Sequence, residues 1–85
     1  MGYLQGFDDC DVATDVVREL RAAREQHPTK FHSAHEGFAV LKEEVDELWE
    51  EVRKRGSKRS KEAMRKEALQ VAAMAIRFLE DVVGS

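Results

Sequence analysis

The chain has 85 residues, with 14 Lys plus Arg against 17 Asp plus Glu and a net charge of −3. That length holds one domain, and the mildly acidic balance excludes a polycation built to coat nucleic acid. With 36% charged residues, five Gly and a single Pro, the composition suits amphipathic helices and argues against a many-turned β-sandwich.

A single all-α domain over 1–85 is expected, with residues 1–10 as a lead-in that need not be ordered. From Asp11 onward, Val12, Val16, Val17, Leu20 and Ala23 recur at helical spacing, and Asp8, Asp9 and Asp11 are candidate N-caps. His27-Pro28 stops this helix, because the residue before proline is pushed out of the α region. Ser33-Ala-His-Glu36 has the pattern of a capping box and opens a second helix, predicted from about Ala34 to Lys54. Its apolar stripe is Phe38, Leu41, Val45, Leu48, Trp49 and Val52. A basic turn from Arg55 to Ser60 follows, with Gly56 as the expected C-cap, and a third helix runs from about Lys61 to Val83.

Helix three is apolar nearly all round. Met64, Ala68, Val71, Ala75, Phe78, Leu79 and Val82 form one stripe, while Leu69, Ala73, Ile76 and Val83 cover much of the opposite side. Such a helix is buried nearly all round. A chain this short buries only ~60–65% of the surface it exposes when unfolded. A second copy is therefore expected to complete a four-helix-bundle-like core, as a homodimer or a dimer of dimers. Cys10 is the only cysteine, which precludes an intrachain disulfide and suits a reduced, cytoplasmic setting. No apolar run approaches the ~18–20 residues of a membrane span, and the N-terminus lacks a basic region followed by an apolar run.

Six carboxylates fall within nine residues of helix two: Glu43, Glu44, Asp46, Glu47, Glu50 and Glu51. A solvated acidic face is the plain reading of such a run. The helical wheel adds a second one. With about 100° per residue, Glu44 borders the apolar stripe and Glu47 stands about 60° further round. Glu67 and Gln70 repeat that layout on helix three. If the helices pack antiparallel, the rows Glu44/Glu47 and Glu67/Gln70 face a shared cleft suited to Mg²⁺ or Mn²⁺, hard cations that take oxygen ligands. His32 and His35 have the spacing of a zinc pair, but Glu36 beside them already has a capping role. Eight of the 14 basic residues lie between 53 and 66. This patch reads as a solvated turn, with attraction of a triphosphate as the other reading; it lacks interleaved aromatics, so nucleic acid is not an expected partner.

The segments from His35 to Trp49 and from Lys66 to Asp81, with Glu44-Val-Asp-Glu47 and the second Glu-rooted helix at Glu67, resemble the MazG-like nucleotide pyrophosphohydrolases. These all-α enzymes carry a Glu-x-x-Glu helix followed by a Glu-x-x-Asp helix. The resemblance implies hydrolysis of a nucleoside triphosphate, usually a deoxynucleotide, to the monophosphate and pyrophosphate. Carried over by position, Glu44, Glu47 and Glu67 are the implied Mg²⁺ ligands. Gln70, standing where the family usually has Asp, is a weakened fourth. Glu43 is the nearest spare acid, either orienting water or simply solvated. Lys42 and Arg77 are candidate phosphate contacts, with a surface salt bridge the other reading of Arg77. The rival expectation is a non-catalytic helical module that keeps the shape, self-associates or binds a partner, and has lost metal.

Overall fold

The computed structural model describes residues 9–84, and they are all-α. Helix α1 spans Asp9–Gln26, α2 spans Ala34–Val52, and α3 spans Lys61–Phe78 before continuing as a π-helical turn over Leu79–Val83. None of these helices is long and apolar enough to cross a membrane. Most of the expected lead-in lies outside the described residues, and Asp9 and Cys10 already belong to α1. Asp11 is thus inside the helix and is not its N-cap.

Local chemistry sets the element ends. Proline at position 28 ends α1 at Gln26. At the start of α2, the Glu36 amide donates to Ser33 Oγ at 3.1 Å. The Glu36 carboxylate in turn accepts from the His32 amide at 2.6 Å, one residue earlier than a standard capping box. That bond holds the Glu36 carboxyl below the usual carboxylate range. Helix α2 closes at Val52, two residues short of the expected end. Gly56 does not cap it; its φ of 58° opens the short 3-10 turn Gly56–Lys58, a conformation that suits glycine. Ser60 then caps α3 by accepting from the Ala63 amide at 3.1 Å.

Helix α3 is the centre of the fold, and both other helices pack on it. Ala73 and Met74, 0% and 4% exposed, are its buried apolar side chains. Part of the face expected to meet a second chain is taken up within this one: Ala73 is buried and Leu69 and Ile76 are half-buried on the side of α3 that faces α1, while Val83 stays open. Polar links mark that side, from Arg65 to Asp15, from Gln70 to Glu19 and from Arg24 to Glu80. The uncovered apolar surface is elsewhere. Phe38, Trp49, Leu79 and Val83 are 58–64% exposed, with Val45 between the first two. On a helical wheel Phe38, Val45 and Trp49 share one flank of α2, within about 40° of each other.

The far end of α3 is fastened by a buried charge network. The Asp81 side chain, 1% exposed, accepts from Arg24 Nη2 at 3.1 Å and from the Phe31 amide at 3.3 Å. Arg77 Nε lies 3.5 Å from the same carboxylate. Burial pushes the Asp81 carboxyl up, but the Arg24 bond, the Phe31 amide and the two guanidinium charges outweigh it and leave it below its ordinary value. Close packing reinforces the joint between α2 and α3. A Cβ on Gly37 would stand 2.7 Å from the Phe78 ring and 3.0 Å from Phe31.

Candidate metal centre

Gly37 meets Phe78 at one end of the α2–α3 pair, and the Gly56 turn joins the two helices at the other. The pair is therefore antiparallel, and the i, i+3 rows of the two helices face each other. Glu44, Glu47 and Glu67 each bring a carboxylate oxygen within 4.8 Å of the others. Glu44 and Glu67 are half-buried, whereas Glu47 is exposed and lies within hydrogen-bonding reach of both.

The electrostatics of this cluster are unfavourable as it stands. Loss of solvent raises the Glu44 carboxyl from 4.5 to about 7, helped by the Glu47 charge, its hydrogen bond with Glu47, and the charges of Glu67 and Glu43. Glu67 is raised by the same order of causes, with Lys66 partly offsetting them. Three converging carboxylates either share a proton or gather round a cation. As a donor set, all oxygen and drawn from facing helices, they suit a hard divalent ion.

The remaining sequence candidates separate. Gln70 directs its carboxamide nitrogen to Glu19 on α1. Glu43 lines a groove beside Glu44. Lys42 is exposed, bound to Asp46 at 3.0 Å, and is not among the groove residues. Arg77 is only 5% exposed, so neither a surface salt bridge nor an open phosphate contact describes it. Its Nη2 donates to the Thr29 and His27 carbonyls at 2.7 and 3.2 Å, and its guanidinium stands 4.3 Å from the Phe31 ring centroid. It fixes the α1–α2 connector to α3. Within the basic patch, Arg53, Lys54 and Arg65 are ion-paired with Glu50, Glu51 and Asp15. His32 Nδ1 is 3.3 Å from Glu36, beside the cap of α2.

Helices α1 and α2 lie on α3 with a groove of about 680 Å³ between them, closed at one end by the connector from His27 to His32. Its floor is Met74, Gln70 and Arg77; Glu43 and Glu44 stand on one wall and Glu19 on the other. Glu19, Arg24 and Asp81 were not singled out by the sequence. The four-residue spacing of Arg77 and Asp81 was the one available signal. No family model, curated protein or solved structure matches the chain.

Proposed function

We propose that the protein is a divalent-cation-dependent nucleoside triphosphate pyrophosphohydrolase, acting as the MazG-like enzymes it resembles do. The observation that carries this reading is the convergence of Glu44, Glu47 and Glu67 from two helices, with Glu44 pushed up to about 7. Carboxylates held that closely are repulsive alone and well suited to Mg²⁺ or Mn²⁺. A bound cation supplies charge neutralisation for the phosphates and a polarised water. Glu44, Glu47 and Glu67 would hold it, with the oxygen of Gln70 as the remaining candidate ligand. Glu43, which lines the groove with Glu44, would orient the attacking water. Water attacks the α-phosphorus, the bond from that phosphorus to the bridging oxygen breaks, and pyrophosphate leaves.

We also propose that the exposed flank of α2 and the end of α3 pack on a second copy, forming a four-helix bundle from two α2–α3 pairs. Exposed apolar side chains at Phe38, Val45, Trp49, Leu79 and Val83 support this. The same surface favours the second reading, a non-catalytic self-associating module.

Incubation with the common ribo- and deoxynucleoside triphosphates, with Mg²⁺ and with EDTA, separates the two. Monophosphate plus pyrophosphate, abolished by EDTA, supports the enzyme. An intact oligomer without turnover supports the module.

A further inference from the structure

The groove between α1 and α2 begins where the acid cluster ends, since Glu44 belongs to both. From Glu67, the α3 row continues through Gln70 and Met74 to Arg77, which is bonded to the connector at the closed end. A nucleotide whose α-phosphate lies at the glutamates can therefore extend only one way along it. Its volume, about 680 Å³, is that of a small-molecule pocket.

Gln70 stands about 4.5 Å along the helix axis from Glu67, comparable to the step from a phosphorus to the sugar it esterifies. At this level Gln70 Nε2 donates to one oxygen of Glu19. The other Glu19 oxygen is then left as an acceptor on the groove. A carboxylate repels phosphate and has no use for a carbonyl edge, but it accepts from a hydroxyl. One turn further in, buried Met74 offers an apolar shelf for the base.

Resting on the pyrophosphohydrolase reading, we propose that this groove seats the nucleoside half of the substrate and that Glu19, oriented by Gln70, binds the sugar 3′-hydroxyl. The site is thus sensitive to the sugar through an acid supplied by α1, outside the two-helix segment that carries the metal ligands.

The test compares KM for 2′-deoxy- and 2′,3′-dideoxynucleoside triphosphates of the same base in the wild type and in Glu19→Ala. A hydrogen bond to a charged group corresponds to a change of about tenfold or more. The wild type should bind the dideoxy substrate that much more weakly, and in Glu19→Ala the ratio should fall to near one. Wild-type KM values that are equal overturn the proposal, whether or not the variant folds. So does a ratio that survives in a folded Glu19→Ala. If no triphosphate turns over, the enzyme reading and this inference fall together; turnover without sugar discrimination overturns this inference alone.

Discussion

Replacing Glu44 by Gln should stabilise the metal-free protein above neutral pH while removing its response to metal. The Glu44 carboxyl titrates at 4.5 when free and at about 7 in the folded chain, raised by loss of solvent and by Glu47. Its stabilising contribution is therefore fully present below pH 4.5 and is lost as pH rises through about 7. Taken in full the shift would correspond to about 3 kcal/mol, but the cluster is open to water and screening cuts its contribution between pH 5 and pH 8 to about 1 kcal/mol. Glu67, also raised, acts in the same direction. Asp81 and Glu36 are lowered, so their stabilisation is lost only in acid below this window. A domain of this size changes Tm by roughly 4–8 °C per kcal/mol. In EDTA, circular dichroism melts of the wild type should drop by about 5 °C from pH 5 to pH 8, and Glu44→Gln should show less than half that drop. Adding Mn²⁺ at pH 8 should restore the wild type and leave Glu44→Gln unchanged. Equal drops in the two proteins, or a wild type indifferent to pH, would refute the reasoning.

Gly37→Ala gains helix propensity but drives a methyl group into the Phe78 ring, so thermal melts should show a net loss of about 1–3 kcal/mol; an unchanged Tm contradicts the packing. Asp81→Asn leaves Arg77 buried beside a neutral group, and urea titration should show a loss of about 3 kcal/mol. Stability equal to wild type would mean the network contributes nothing. The wild type should sediment as a dimer at micromolar concentration, and Phe38→Glu combined with Trp49→Glu should yield a folded monomer. A monomeric wild type at micromolar concentration removes the bundle.

Helix order and the acid cluster were legible because both depend on local spacing. Ser33, Pro28 and the Gly56 turn punctuate the chain, and i, i+3 periodicity across a short antiparallel connection suffices to aim Glu44 and Glu47 at Glu67. Which side of α3 would receive α1 was not legible. The stripe Val12–Val16–Leu20 says that α1 has a face, but the side is marked by Arg65–Asp15 and Gln70–Glu19, links between residues about fifty positions apart. On the wheel alone Leu69, Ala73 and Ile76 therefore read as a face for a partner, whereas α1 lies on that side of α3. Arg77 shares the Glu67/Gln70 side of α3 on the wheel and so reads there as a phosphate contact or a surface salt bridge. Its burial comes from carbonyls of the connector, the Phe31 ring and Asp81, none of which a helical wheel displays. The groove was equally hidden, because its walls belong to helices whose relative placement is set only by packing on α3.

The central claim, that the glutamates on α2 and α3 direct water onto the α-phosphorus of a nucleotide, is tested most directly by turnover in ¹⁸O-labelled water with Mg²⁺. The account predicts the label in the nucleoside monophosphate and none in the pyrophosphate, with no turnover in a folded Glu67→Gln variant. Label in the pyrophosphate, orthophosphate as the direct product, or full activity in Glu67→Gln would contradict it.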